Sequence, residues 1–228
     1  MSSPSRRKVL CLLAAAPVLA ACGSTTKAGA SMSAAPGTPA TGTPVPPGAD
    51  VVMVVRHAEK PKGSKAPYGI TSDGERSDGS LTVQGWTRAG ALVELFAPAA
   101  DQPVRAGLVR PTAVYAAKPD GDASQRPSQT VTPLAARLGV QLNTSHGKGD
   151  EAALVAELTA LRGATLVSWQ HEEIPALAQH FGAQPAPPTQ WPDDRFDVVW
   201  VFTKQSSGSW VFGQVPELLL AGDRQDVI

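Results

Sequence analysis

Cysteine is almost absent from this sequence of 228 residues. The two cysteines that it contains, Cys11 and Cys22, both lie near the amino terminus. The main part of the chain therefore can form neither a disulfide bond nor a thiolate metal site. The four histidines are scattered rather than clustered. Together these features argue against a metal site of cysteine and histidine ligands, and we expect no cofactor.

An excess of charge of either sign is also lacking. The chain has 20 Lys and Arg residues against 20 Asp and Glu residues, which gives a formal net charge of zero. Binding to nucleic acid needs a concentrated basic face, so this composition argues against that class of protein. Hydrophobic residues make up 42% of the chain, which is enough to build a core and excludes wholesale disorder.

Residues 1–21 follow the order of a secretory signal peptide. Arg6, Arg7 and Lys8 supply a positive start, and an almost unbroken apolar run follows from 9 to 21. This run is too short to remain in a bilayer as a permanent spanning helix. We therefore predict that the segment directs export and is then removed, which would leave a net charge of −3.

The residues at the expected cleavage point, Leu19-Ala20-Ala21-Cys22, resemble the lipobox of bacterial lipoproteins. In that family the cysteine thiol receives a diacylglyceryl group and cleavage occurs just before it. The resemblance implies lipidation of Cys22 and attachment to the membrane surface outside the cytoplasm. The segment 5–10 resembles a twin-arginine export signal, but Val9 stands where that pattern prefers Phe. Sec and Tat export both remain open.

The composition changes at Asp50. Residues 22–49 are dominated by Ser, Thr, Ala, Gly and Pro, which cannot bury enough apolar area to offset the entropy of ordering. We therefore predict a flexible linker over 22–49, beginning at the lipidated cysteine, and one folded domain over 50–228.

Strand and helix patterns alternate in the predicted domain. Apolar runs of strand length cover 51–55, 112–116, 164–169, 196–203 and 210–215. Helical periodicity covers 82–96, 132–139, 154–161 and 174–181. Such alternation is typical of a three-layer α/β/α sandwich with a mostly parallel central sheet, and we predict that fold class.

Basic side chains follow three of the predicted strands. Arg56 and His57 come directly after the first, Arg126 lies in the connection after the second, and His171 follows the third by two residues. Because ligands of open α/β sheets bind beyond the carboxyl ends of the strands, we expect these four residues to meet. Guanidinium forks match phosphoryl oxygens, and an imidazole can attack phosphorus. The pattern predicts a site for phosphoryl transfer.

Four segments in order resemble the motifs of the histidine phosphatase superfamily. Val54-Val55-Arg56-His57-Ala58-Glu59-Lys60 resembles its Arg-His-Gly motif, with Ala58 in place of the usual Gly. Segments 81–89, 126–130 and 166–171 are similar to its first-helix, second-arginine and second-histidine motifs.

The resemblance implies the phosphoglycerate mutase-like form of the α/β/α sandwich and a metal-independent phosphatase. It implies that His57 is the nucleophile and forms a phosphohistidine, while Arg56, Arg126 and His171 bind the phosphoryl oxygens. The predicted activity is hydrolysis of a phosphomonoester outside the cytoplasm, on a phosphorylated small molecule or envelope component.

The proton donor for the leaving group is expected to be a carboxylic acid. Glu172 follows His171 directly, where acid-phosphatase relatives have an Asp, and it is the preferred candidate. Asp150 and Glu151 lie between the second arginine and the second histidine, and they are the alternatives.

A different class of function also fits the sequence. A catalytically silent lipoprotein that binds a phosphorylated ligand or an envelope partner would keep the same basic residues. The identity of the substrate and the oligomeric state do not follow from the sequence.

Overall fold

In the computed structural model, which describes residues 44–228, one sheet of six strands packs against helices on both faces. The strands are β1 (Val51–Arg56), β2 (Ala113–Ala116), β3 (Leu142–Asn143), β4 (Ala164–Trp169), β5 (Val198–Lys204) and β6 (Trp210–Pro216). The helices are α1 (Val83–Phe96), α2 (Arg126–Leu138), α3 (Glu151–Ala160) and α4 (Ile174–Gln179), with a 3-10 turn at Gly121–Ser124.

The strand order is β3-β2-β4-β1-β5-β6. The first four strands of the chain run parallel to one another, whereas β5 is antiparallel to β1 and β6 is antiparallel to β5. All six residues of β1 and of β4 are buried, as expected for central strands covered on both faces. The predicted mostly parallel sheet is confirmed.

Alternate side chains of β1 contribute to two separate core layers. The residues at 51, 53 and 55 pack with side chains of α1 and α2, whereas those at 52 and 54 pack with side chains of α3 and α4. This division follows from the two-residue period of a strand, which sends successive side chains to opposite faces. The α/β/α sandwich that we predicted is confirmed.

Helix α2 begins earlier than the sequence predicted. The helical pattern began at 132, which puts Pro133 in the first turn, a position that proline favours. The helix starts instead at Arg126, and Pro127 occupies its first turn while Pro133 lies inside. The helix ends where we predicted, at Gly139, whose φ of 69° is in the left-handed region. Arg126 therefore lies on a helix and not in a loop.

Helix α1 packs backbone to backbone against the loop that follows β1. A Cβ added at Gly85 would lie 2.6 Å from the carbonyl oxygen of Glu59, so no larger residue fits there without movement. The hydroxyl of Thr82 caps the helix by accepting from the N–H of Gly85 at 3.2 Å. This close contact fixes the chain just beyond the end of β1.

A buried ion cluster joins α1 to two other parts of the chain. Arg88 is 3% exposed, and its guanidinium lies 2.9 Å from Glu59, 2.8 Å from Glu217 and 2.7 Å from Asp223. Glu59 belongs to the loop after β1, and the other two carboxylates belong to the segment after β6. The cluster therefore joins the loop after β1 to helix α1 and to the segment after β6.

The amino-terminal predictions fall mostly outside the described residues. The signal peptide, Cys22 and the linker up to residue 43 are among them. Val45 and Ala49, at the end of the predicted linker, pack partly buried against the core layer of α1 and α2. Within 44–228 no helix is both long and apolar enough to cross a membrane.

Candidate active site

The carboxyl ends of β1 and β4 bring three of the predicted residues to one edge of the sheet. Arg56 is paired in register with Trp169, and the N–H of His57 donates to the carbonyl of Trp169 at 3.0 Å. His171 lies two residues beyond that tryptophan. The two histidines and the first arginine therefore extend from neighbouring strands, as the sequence predicted.

Thr130 connects helix α2 to the loop that carries the nucleophile candidate. Its hydroxyl accepts from the N–H of Ala58 at 2.9 Å and donates to the carbonyl of Arg126 at 2.8 Å. Thr130 is fully buried, so this connection is shielded from water. It places the first turn of α2, and Arg126 with it, beside the loop after β1.

The guanidinium of Arg56 is 1% exposed and is held along one side only. Its Nη1 donates to three carbonyl oxygens of the turn before β5, those of Pro192 at 3.2 Å, Asp193 at 2.8 Å and Arg195 at 2.9 Å. The ring of Phe196 lies 3.8 Å from Cζ, at cation–π distance.

The opposite edge of the same guanidinium, formed by Nε and Nη2, is buried. Neither nitrogen has a hydrogen-bond partner within the described residues. Burial lowers the pKa of Arg56 to about 10, so the group still carries its charge at neutral pH. Two parallel donors on a buried cation match two oxygens of a phosphoryl group.

His57 is a neutral imidazole whose Nε2 is the free-base nitrogen. Its Nδ1 lies 2.8 Å from the carbonyl oxygen of Ala58, and because a carbonyl only accepts, Nδ1 carries the hydrogen. Burial lowers the pKa of His57 to about 3, and the charges of Arg56, Arg126 and Lys60 act in the same direction. The lone pair on Nε2 is therefore available at neutral pH.

Arg126 and Lys60 add positive charge to the same site. Nη1 of Arg126 donates to the carbonyl of Asp78 at 2.9 Å, while its Nε is buried without a partner among the described residues. Burial lowers the pKa of Arg126, and the carboxylate of Glu172 opposes that effect. Burial also lowers the pKa of Lys60, with contributions from the two arginines.

His171 is 4% exposed and lies against a carboxylate that the sequence analysis did not identify. Its Nε2 is 2.7 Å from Oδ1 of Asp193 and 3.8 Å from Oε1 of Glu172. Burial and the charge of Arg56 lower the pKa of His171, whereas the hydrogen bond with Asp193 raises it. The interaction with His171 lowers the pKa of Asp193, so the carboxylate is ionised and Nε2 is the donor.

The three carboxylates proposed as proton donors differ in their surroundings. Glu172 is 58% exposed, and its charge acts on both Arg56 and Arg126. Glu151 is buried and accepts from the indole N–H of Trp169 and from the N–H of Gly149, both at 3.1 Å. Glu172 is thus the carboxylate in contact with the site, whereas Glu151 has a local structural role.

Asp150, the third carboxylate, lies directly before α3. Its Oδ2 accepts from the N–H of Gly147 at 2.9 Å, which closes the turn there. Its side chain, like that of Glu151, is used in local structure.

The turn at 189–197 supplies the functional residues that the sequence analysis missed, Asp193 and Phe196. We looked for site residues after parallel strands, at their carboxyl ends. This turn precedes β5, which is antiparallel to β1, so the amino end of β5 lies at the same edge of the sheet. The only available signal was a cluster of aspartates beside Trp191-Pro192.

A cavity of about 430 Å³ opens beside His171 and Glu172, and the turn from Thr189 to Asp193 forms another wall. His171 and Glu172 line it, whereas Arg56, His57 and Arg126 do not. Within 44–228 no group of three His, Cys, Asp or Glu side chains has the arrangement of a metal site.

No family model and no curated protein sequence matches the chain. Three similar solved structures are Mycobacterial hydrolase 1, a phosphoglycerate mutase from Plasmodium falciparum and a mutant phosphoserine phosphatase from Entamoeba histolytica bound to phosphoserine. Their sequence identities to this chain are 16%, 11% and 14%, and their TM-scores are 0.46, 0.46 and 0.41. The matches cover 72%, 82% and 71% of this chain and 97%, 99% and 94% of those chains.

The buried neutral state of His57 predicts an acid-dependent loss of stability. The unfolded residue has a pKa near 6.5 and the folded residue one of about 3, so the unfolded chain binds the proton first as the pH falls. The free energy of unfolding should drop by about 1.4 kcal/mol per pH unit below 6.5 from this residue. Urea unfolding between pH 7 and 4.5 should show a shallower dependence in His57→Gln. A variant of the exposed His180, His180→Gln, should keep the wild-type slope, and equal slopes in all three proteins would contradict the assignment.

Proposed function

We propose that this chain hydrolyses phosphomonoesters through a phosphohistidine formed on His57. One observation carries the proposal: the buried neutral imidazole of His57 directly follows Arg56, whose buried guanidinium has two donors without a partner within 44–228. A phosphoryl group satisfies both, because its oxygens accept from the guanidinium while its phosphorus is open to attack by the imidazole.

In the first step Nε2 of His57 attacks phosphorus and the bond from phosphorus to the leaving oxygen breaks. Arg56, Arg126 and His171 stabilise the charge on the phosphoryl oxygens, which is the main requirement of phosphoryl transfer. Glu172 in its protonated form gives its proton to the leaving oxygen.

In the second step water attacks the phosphorus of the phosphohistidine and the phosphorus–nitrogen bond breaks. The carboxylate of Glu172 accepts the proton of that water, and His57 returns to its neutral form. Free phosphate leaves, so the overall reaction is hydrolysis. Two guanidiniums supply the positive charge that a metal ion supplies in other phosphatases, and we propose that the reaction needs no metal.

The nucleophile assignment predicts that His57→Ala abolishes turnover of p-nitrophenyl phosphate. We expect a decrease in kcat of about 10³-fold or more, since no other group replaces the lost covalent step. Activity of the wild type should persist in EDTA, and His180→Ala should retain it.

Assays of phosphate release, with thermal unfolding to confirm the fold, provide the measurement. A chain that shows no turnover while phosphate or vanadate still raises its Tm would be the silent binding protein instead.

The proton-donor assignment predicts a dependence on the leaving group. Glu172→Gln should lower kcat by about 10²-fold or more for an alkyl phosphate, because an alkoxide needs protonation. The loss should be much smaller for p-nitrophenyl phosphate, whose leaving group is stable as an anion.

Glu173 is the matched control, since it is the adjacent carboxylate and pairs with Lys148 at 2.8 Å. Glu173→Gln should affect both substrates alike. If Glu172→Gln also affects them alike, another group is the proton donor.

We further propose that the enzyme is exported and held at the outer face of the membrane by lipid on Cys22. The charged start, the apolar run of 9–21 and the lipobox-like residues support this location. The substrate would then be a phosphorylated small molecule or a component of the cell envelope.

The lipid anchor predicts that cells labelled with a radioactive fatty acid incorporate label into the protein. Cys22→Ser should remove the label, because the thiol is the attachment point. Cys11→Ser, in the segment that is cleaved away, should leave labelling intact. Persistent labelling of Cys22→Ser would exclude lipidation at this residue.

A further inference from the structure

Asp193 contacts two of the proposed phosphate-binding groups at the same time. Its backbone carbonyl accepts from Nη1 of Arg56 at 2.8 Å, and its carboxylate accepts from Nε2 of His171 at 2.7 Å. No other residue within 44–228 has hydrogen bonds to both of these side chains. The proposed mechanism gives Asp193 no role.

We propose that Asp193 is a positioning residue that orients Arg56 and His171 as one unit towards the bound phosphoryl group. This inference rests on the proposed function, since it assigns the orientation of the groups in that same site. Asp193 contacts Arg56 through its backbone carbonyl and His171 through its carboxylate. The carboxylate can therefore be altered while the backbone contact with Arg56 is kept.

The backbone contact determines which edge of the arginine faces the substrate. Nη1 donates to three carbonyls of one turn, those of Pro192, Asp193 and Arg195, and the ring of Phe196 covers the guanidinium plane. The edge with Nε and Nη2 is the one left for a ligand. The carbonyls are neutral, so they orient the guanidinium without cancelling its charge.

The side-chain contact determines the protonation of the histidine. With Asp193 ionised, the hydrogen resides on Nε2, and the lone pair is on the buried Nδ1, which has no partner among the described residues. When a phosphoryl dianion binds nearby, His171 can take up a proton on Nδ1, and the cation is then stabilised by the carboxylate on its outer side.

The charges that act on His171 come from three parts of the chain. Arg56 at the end of β1 and Lys60 in the following loop oppose protonation, whereas Glu172 and Asp193 favour it. Asp193 is the nearer of the two carboxylates, at 2.7 Å against 3.8 Å. Its carboxylate is therefore the main partner for a cationic His171.

Because the side chain of Asp193 is exposed, a substitution there can distinguish a positioning role from a structural one. Its side chain is 96% exposed, so its loss removes almost no packing, and the fold should be unaffected by a polar replacement. Asp194 provides a control on the same turn, because it is 67% exposed and lies 3.7 Å from Arg224, away from His171. The two aspartates differ mainly in the histidine contact.

The experiment compares Asp193→Asn, Asp193→Glu and Asp194→Asn with the wild type. We expect Asp193→Asn to lower kcat/KM for p-nitrophenyl phosphate by about 5-fold, the effect of losing one hydrogen-bonded ion pair whose carboxylate is exposed to water. Its Tm should match that of Asp194→Asn, which should keep wild-type kinetics. Asp193→Glu should restore part of the activity, since it returns the carboxylate.

A second measurement follows the imidazole directly. The pKa of His171, measured from its ring proton resonances in the presence and absence of vanadate, should be lower in Asp193→Asn than in Asp194→Asn or the wild type. A merely structural residue would not move this value. The measurement does not require turnover.

Three results would overturn the inference. The first is wild-type kinetics in Asp193→Asn, the second is an equal loss in Asp194→Asn, and the third is tighter phosphate binding with faster turnover in Asp193→Asn, which would make the carboxylate a competitor of the substrate. Failure of the proposed function is recognised separately, by turnover that survives His57→Ala.

Discussion

The burial of the Arg56 guanidinium is the constraint on which the rest of the site depends. A charged group removed from water loses its hydration, and protein donors and acceptors must replace it. Here three backbone carbonyls and an aromatic face replace part of that hydration, and they do so along one edge of the fork. The other edge has no partner within 44–228, so part of the desolvation cost is recovered only when an anion binds. The fold thus builds a cation whose preferred ligand is an oxyanion.

The same buried environment explains the state of His57. Low polarity and nearby positive charges both disfavour a proton on the imidazole, so the nucleophile is kept as the free base at neutral pH. The proposed phosphohistidine benefits from the same charges, because two arginines and a lysine surround the group that becomes anionic. In the proposed mechanism one electrostatic field therefore serves two steps, first by keeping the nitrogen unprotonated and then by stabilising the phosphoryl oxygens. The same field makes the free energy of unfolding sensitive to acid, because His57 stays neutral in the folded state.

Much of this arrangement could be predicted from the sequence. The valine run before Arg56 and the apolar run before His171 identify central strands, and parallel strands present their carboxyl ends at a common edge. Two other features depended on contacts between distant parts of the chain. The predicted start of α2 was wrong because a proline is compatible with two positions in a helix. Pro133 was expected in the first turn, whereas it lies in the interior of α2. The turn with Asp193 was missed because the direction of β5 is set by pairing with β1, and no local pattern encodes that direction.

Two buried arginines in this domain show how partners decide the function of a side chain. Arg56 and Arg88 are 1% and 3% exposed. Arg56 directly precedes His57 at the end of β1, and Arg88 contacts Glu59 two residues after His57. Three carboxylates occupy the guanidinium of Arg88, so its charge is neutralised locally and it serves to join α1 to the segment after β6. Arg56 is held by carbonyl dipoles instead, and the carboxylates that act on its charge, Asp193, Glu172 and Glu59, are not hydrogen-bonded to it. A carboxylate in place of one of those carbonyls would make a stronger contact with Arg56 and a weaker site for phosphate. Arg56 thus has neutral acceptors, and Arg88 has charged ones. This difference fits Arg56 for the proposed binding of phosphate and Arg88 for structural support, within a few residues of His57.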